Sequence, residues 1–263
     1  MTIIPAVHPP LPRRKTYKRD LTWRAAFQWL AAGWRDMWTT PFPSLAYGCA
    51  VFLVSIGIVF GLFRLDMDYI LFPVMAGFMV VGPAIAIGLY EKSRRLAEGM
   101  PVPLARMLFV KPEAGGQILF AGVLLCLLML LWVRAAVLIY ALFFGVRPFP
   151  GLEHVAAMLF MTPVGWTMLL TGGAVGGLFA GFAFAISAFS FPMLLNERVD
   201  ALTAMGTSLA LVWNNLPVML TWGAIVLALF AISTATGFLG LILAFPVLGH
   251  GTWHAYRAIR QGG

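Results

Sequence analysis

The C-terminal stretch LGHGTWHAYRAIR, Leu248–Arg260, places His250 and His254 four residues apart. On a helix that spacing stacks two imidazoles on one face, a turn apart. It is also how a helix offers two nitrogen ligands to zinc or copper. Such a site needs at least one further His, Cys or carboxylate. The other histidines are His8 and His154, which the topology below puts in a basic arm and on the opposite side of a membrane. Glu91 or Glu197 could approach from other segments. The plainer expectation is that both rings bond to backbone or lipid headgroups where a helix leaves the bilayer. Trp253 and Tyr256 beside them are the aromatic anchors expected at that depth.

The surrounding chain sets that context. Of 263 residues, 61% are hydrophobic and 11% charged, where a soluble domain carries about 25% charged residues. Mean hydropathy is +0.89. These values define an integral membrane protein. The net charge of +8 would suggest nucleic acid in a soluble chain. Here the basic residues flank apolar runs, so anionic lipid headgroups are the expected partner and nucleic acid is not. Cys49 and Cys126 lie alone in apolar runs and read as small hydrophobes.

A helix needs about 20 apolar residues to cross a bilayer. Six segments meet this, near 44–63, 69–90, 115–145, 164–195, 216–233 and 237–256. Pro163 ends a short outer segment before the fourth, and STATG (Ser233–Gly237) forms the turn before the sixth. Residues 1–19, rich in proline and basic residues, read as a disordered cytoplasmic arm, and 20–263 as a single transmembrane domain. With six spans, fifteen Lys and Arg fall on the side of the termini. Arg64 and Arg147 fall on the other, and Arg134 lies within a span. That asymmetry predicts cytoplasmic N and C termini in a bacterial inner membrane. The fold expected is all-α, with six transmembrane helices.

A repeat organises them. WTTPFPSLAYG (Trp38–Gly48) and WNNLPVMLTWG (Trp213–Gly223) share Trp, two polar residues, a proline-containing start and an aromatic-Gly pair. Each follows an amphipathic segment, near 21–38 and 199–213. Each opens a hairpin whose second span carries proline (Pro83, Pro246), then glycine (Gly88, Gly251), an aromatic residue (Tyr90, Trp253) and arginine (Arg94, Arg257). The central hairpin reads as a third, more diverged copy, with PLARMLFV as its interfacial helix. In the first amphipathic segment, Trp23, Phe27, Leu30, Trp34 and Trp38 share one face and Arg24, Gln28 and Arg35 another. Such a helix lies in the membrane surface on aromatic anchors, or packs on the ends of the bundle.

Two features remain. Gly173, Gly177, Gly181 and Ala185 recur every four residues, a smooth face for close helix approach. It predicts that the fourth span is the centre of the bundle or of an oligomer contact. Arg134 is an intramembrane charge, a functional hypothesis by default. Its position past the middle of the third span favours snorkelling to the outer surface. No carboxylate stands at a span centre to form a proton relay, and no Walker loop, GxSxG, HExxH or dinucleotide fingerprint occurs.

With GWRDMW (Gly33–Trp38), YG (Tyr47, Gly48), FSFPMLLNERVDALTAMGTSLALVWNN (Phe189–Asn215) and FPVLGHGTWHAYR (Phe245–Arg257), the chain resembles the bacterial integral membrane proteins catalogued as domain of unknown function 2189. The resemblance runs over nearly the whole chain beyond the arm. Some members carry a cytochrome c oxidase label. The haem-copper family implies about twelve helices and six intramembrane histidines for a catalytic subunit, which six spans and four histidines cannot supply. The resemblance therefore implies an accessory, assembly or stabilising partner of a membrane complex, a respiratory oxidase being the one the label names. The protein is expected to be no enzyme, to hold no cofactor, and to associate with another membrane protein or with itself. A transporter or exporter of a small apolar or amphipathic solute is the alternative, and a metal-binding membrane protein the second.

Overall fold

The computed structural model describes residues 17–145 and 151–261. Arg147, the bulk of the basic arm and His8 lie outside them. Regular structure among the described residues is helical throughout. The order is α1 (Ala25–Thr39), α2 (Pro41–Arg64), a 3-10 turn (Asp68–Ile70), α3 (Leu71–Ile85), α4 (Ile87–Ala97), α5 (Leu104–Leu108), α6 (Gly115–Phe144), α7 (Leu152–Phe160), α8 (Pro163–Ser187), α9 (Ser190–Asn196), α10 (Ala201–Asn214), α11 (Leu216–Ala235) and α12 (Leu241–Tyr256), closing on a π-helical turn (Arg257–Gln261). Five helical stretches are long and apolar enough to cross a membrane: 41–64, 68–97, 115–144, 163–196 and 216–235. α12 has 16 residues and is the most enclosed of the long helices.

Local chemistry sets the ends. Pro41 and Pro217 occupy the first turns of α2 and α11, where a missing N–H costs nothing. Thr162 caps α8 by accepting from Gly165 N at 3.0 Å, and Asp200 caps α10 through Thr203 N at 2.9 Å. The turn after α11 uses Gly237 at φ +62°, a conformation that glycine adopts without strain. α7 is the short segment expected before Pro163.

The repeat is visible in the packing. Tyr47 lies against Gly88, and Trp222 lies against Gly251, so close that a Cβ on either glycine would be 2.7 or 2.6 Å from the ring. These are the same two positions in the first and last copies. The interfacial helices also recur. Each sits on the second long helical segment of the preceding unit: α5 on α4, α10 on the α8–α9 junction, and α1, closing the ring, on α12. Gly33 of α1 abuts the backbone of α12, where a Cβ would collide with Val247 O and lie 2.6 Å from Gly251 N. The equivalent residue of α10 is Ser208. Its hydroxyl accepts from Phe189 N at 3.0 Å and donates to Ala185 O at 2.7 Å. A side chain inserted into the helical ladder in this way breaks it, and α8 gives way to α9 at this point. The second span of the first unit breaks at Ala86, three residues past Pro83: Leu89 N bonds to Ala86 O, and Tyr47 Oη donates to the Ile85 carbonyl so released.

Three expectations are corrected. The arm is not free as far as residue 19: Arg19 N donates to Asn215 Oδ1 at 2.8 Å, Asn215 Nδ2 to Tyr17 O at 2.9 Å, and Arg19 Nε to Ile259 O at 3.0 Å. The centre of the bundle is α12, packed by α1, α2, α4 and α11, rather than the fourth span. Gly173, Gly177 and Gly181 are exposed, and a Cβ on any of them meets nothing within 4 Å. Only Ala185 of that series is buried. Finally, Trp253 and Tyr256 are buried at 2% and 0% exposure, so they are core residues and not belt anchors. Trp23, Phe27, Trp34 and Trp38 do face outward, each about half exposed. The buried face of α1 is instead Ala26, Trp29, Gly33 and Met37.

Candidate functional site

At the end of the bundle that carries both termini, four elements deliver polar side chains to one point. α1 brings Asp36, α2 brings Ser44 in its first turn, α4 brings Lys92 and Ser93, and α12 brings His250 and His254. Lys92, Ser44 and His250 are fully buried. An ammonium so enclosed is tolerable only if its donors are satisfied. Lys92 Nζ donates to Thr40 O at 2.6 Å, Ser44 Oγ at 2.8 Å and Met37 O at 3.4 Å. Met37 and Thr40 end α1, so the lysine also places a cation on the negative pole of that helix.

The bonding pattern fixes the proton positions. His250 Nδ1 lies 3.1 Å from Leu89 O, which can only accept, so Nδ1 carries the hydrogen. The same N–H faces Ser93 Oγ at 2.8 Å. Ser93 then donates its own hydrogen to Asp36 Oδ2 at 2.6 Å. Nε2 of the neutral ring is an acceptor, and Ser44 Oγ, 2.9 Å away, donates to it while accepting from Lys92. His254 Nε2 completes the chain on Asp36 Oδ2 at 2.8 Å. Burial alone would raise the Asp36 carboxyl. The hydrogen bonds from His254 and Ser93 outweigh it and hold the group below the ordinary carboxylate value. One continuous path thus runs Lys92–Ser44–His250–Ser93–Asp36–His254, with a cation at one end and an anion near the other.

Chemically, such a path can pass protons along itself and can hold two charges in register. The Ser44–Lys92 pair is also a nucleophile-and-base combination, but Ser44 is fully buried and borders neither cavity described below. Both nitrogens of His250 are engaged, and among the described residues no three His, Cys, Asp or Glu stand close enough to hold a metal ion. Of the carboxylates expected to approach the histidines, Glu91 pairs with Arg94 at 2.7 Å. Glu197 accepts from Tyr256 Oη at 2.8 Å and from Arg260 Nη2 at 2.8 Å. The carboxylate that does reach them is Asp36, which sequence reasoning missed together with Ser44, Lys92 and Ser93. A usable signal was the position of Lys92, two residues past Tyr90 at the end of an apolar span.

Arg134 is exposed on α6. Two apolar cavities lie elsewhere. One, of about 610 Å³, is bordered by Tyr69, Phe72, Trp132, Tyr140 and Phe160. The other, of about 380 Å³, runs between α3, α8, α11 and α12. Trp132 separates them. It borders the first, and its ring lies 2.8 Å from where a Cβ on Gly176, which borders the second, would stand.

Apolar helices joined at one end by interfacial helices and a sealed polar cluster define a polytopic helical membrane protein. Residues 71–196, from α3 to α9, match the model of the family described as predicted integral membrane protein, domain of unknown function 2189. The match covers the middle of the chain, whereas the segments that first suggested it lie mostly on either side. Searches of curated proteins and of solved structures find no match.

Proposed function

We propose that this protein is a non-catalytic integral membrane protein that acts by associating with another membrane protein, as an accessory, assembly or stabilising partner. The observation that carries this reading is where the reactive side chains have gone. Lys92, Ser44, His250, Ser93 and Asp36 are bonded to one another and border neither cavity, which is the pattern of a clamp. The uncovered glycine face of α8 supplies a smooth surface for a second helix. In this reading α12 is the sixth span, both termini are cytoplasmic, and the membrane is a bacterial inner membrane. Affinity capture from native membranes in a gentle detergent tests it. A second membrane protein, for instance a respiratory oxidase subunit, should copurify in stoichiometric amount, and its level should fall when this chain is deleted. Recovery of this polypeptide alone, with other membrane complexes unchanged, overturns it.

The two apolar cavities favour a second reading, movement of a small apolar or amphipathic solute, with Trp132 as the partition between them. Trp132→Ala would join the cavities and raise protein-dependent flux in liposomes. Absence of any protein-dependent flux removes this reading.

A further inference from the structure

The three hairpins meet in cyclic order, and two of the meetings are tight. Where α12 meets α2, a Cβ on Gly48 would collide with Ile242 O. Where α3 meets α6, a Cβ on Gly77 would lie 2.6 Å from the Met129 side chain. The third meeting, α8 with α11, is open. Gly223 is the counterpart of Gly48 in the last copy, yet the nearest atom to its Cβ position is the Phe184 ring at 3.9 Å. The smaller cavity is this opening.

Its walls are apolar over nearly their whole length, from Ser233 and Leu241 to Trp222 and Thr252. Along α12 that is about 17 Å at a helical rise of about 1.5 Å per residue. No charged side chain lines it. At the end nearest the termini sits Ser187, 1% exposed, whose Oγ is buried without a hydrogen-bond partner. The serines nearest to it in the fold are satisfied: Ser190 donates to Ser187 O and Ser208 to Ala185 O, and at the far end of the crevice Ser233 donates to Leu229 O. An unpaired buried hydroxyl is costly and uncommon. Tyr90, itself buried, borders the same end. Gly177, Ala180 and Leu227 are exposed along the mouth, so the opening faces lipid.

We infer that this crevice binds a neutral lipid-soluble molecule with one hydrocarbon tail, whose oxygen-bearing head is hydrogen-bonded by Ser187 and Tyr90. The length suits one extended chain. An ionised head would be stripped of water with no counter-charge, so a fatty-acid anion or a phospholipid head does not fit. A hydroxyl or carbonyl oxygen does. Two sources share this chemistry, straight acyl chains and isoprenoids. Occupancy of the crevice is independent of any protein partner, and it is separable from transport, since a binder that mediates no flux leaves this inference intact.

The test uses the full chain in nanodiscs and a photoreactive diazirine analogue of hexadecanol, with labelled peptides read by mass spectrometry. Label is expected on α8 and α11. Hexadecanol should compete at about tenfold lower concentration than hexadecane, one good hydrogen bond's worth, and palmitate should compete no better than hexadecane. Ser187→Ala should remove that tenfold preference without changing competition by hexadecane. Gly177→Phe fills the mouth, and because its Cβ meets nothing within 4 Å the ring has room to turn across the opening, so it should abolish labelling at an unchanged melting temperature. Geranylgeraniol competing better or worse than hexadecanol assigns the tail to isoprenoid or acyl chemistry. Label spread evenly over all lipid-facing helices, equal competition by alcohol, alkane and carboxylate, or an unaffected Ser187→Ala variant would overturn the proposal.

Discussion

Replacing Lys92 by methionine keeps the volume of the side chain and removes its three donors, so the effect isolates the bonds. The ammonium holds Thr40 O at 2.6 Å and Met37 O at 3.4 Å, at the corner where α1 turns into α2, and bridges to Ser44 Oγ at 2.8 Å. Methionine strands both carbonyls, at about 1–3 kcal/mol each. Relief from burying a charge offsets part of that. A net loss of about 2–3 kcal/mol remains, which for a domain of this size lowers the melting temperature by roughly 5–10 °C. Purified wild type and Lys92→Met, heated in the same detergent and followed by near-ultraviolet circular dichroism, give the comparison. Ser44→Ala should cost less, because Thr40 O and Met37 O keep their donor. The double variant should fall short of the sum, since both residues share one bond. A Lys92→Met protein that melts within about 1 °C of wild type would refute the claim that this lysine holds the corner.

Other outcomes follow from the same geometry. The Asp36 carboxyl is held below its ordinary value, so its contribution is complete above that value and is lost as pH falls through the lowered one. Thermal melts from about pH 6 down to about pH 3 should show Asp36→Asn less stable than wild type at the upper end and nearly flat across the window where wild type declines; parallel curves would contradict this. Gly33→Leu drives a side chain into the α12 backbone and should prevent stable folding. Gly173→Leu enters open space and should raise the monomer's stability by about 0.5–1 kcal/mol, while disrupting any complex formed through that face, as size-exclusion mass would report. For orientation, cysteine in place of Asp66 should react in intact cells with a membrane-impermeant maleimide and cysteine in place of Gly99 should not; the reverse pattern inverts the topology.

Much of the frame was legible because it rests on local rules. Apolar run length marked five of the six expected spans as helices long enough to cross a membrane, proline and glycine marked their ends, and the repeat of Tyr47–Gly48 and Gly88 with Trp222–Gly223 and Gly251 signalled a recurring contact. What escaped was tertiary. His250 and His254 stood out by spacing, yet Ser44 and Asp36 lie more than 200 residues away, and no periodicity pairs such distant positions. Trp253 and Tyr256 misled because an aromatic residue near the end of a span looks the same whether lipid or another helix covers it. Here both are buried by the rest of the bundle, and the Glu197 carboxylate takes the Tyr256 hydroxyl. The glycine series failed as a marker of the bundle centre for a related reason. Small residues permit close approach, but the approach that occurs within this chain uses Gly33, Gly48 and Gly251, single glycines without a repeat.

The placement of the polar cluster has a physical logic. Where α5 packs on α4, a short loop joins the two helices, and α10 follows α9 after four residues. Those junctions form at small entropic cost, because the chain already holds the partners together. α1 and α12 lie at opposite ends of the sequence, and closing that junction carries the largest loop entropy in the fold. It is also where the hydrogen-bonded path from Lys92 to His254 is found, reinforced by the Arg19 bonds to Asn215 and Ile259. The cluster therefore compensates for missing connectivity, and this has an observable consequence. In hydrogen exchange, Asp36→Asn and Lys92→Met should accelerate exchange in α1 and the last turns of α12 by about tenfold or more, as expected when a local opening loses about 1.4 kcal/mol of protection. Amides at the Ser208 junction between α8 and α10 should be unchanged. Uniform acceleration over all helices would mean that the cluster stabilises the molecule as a whole and not the joining of its two ends.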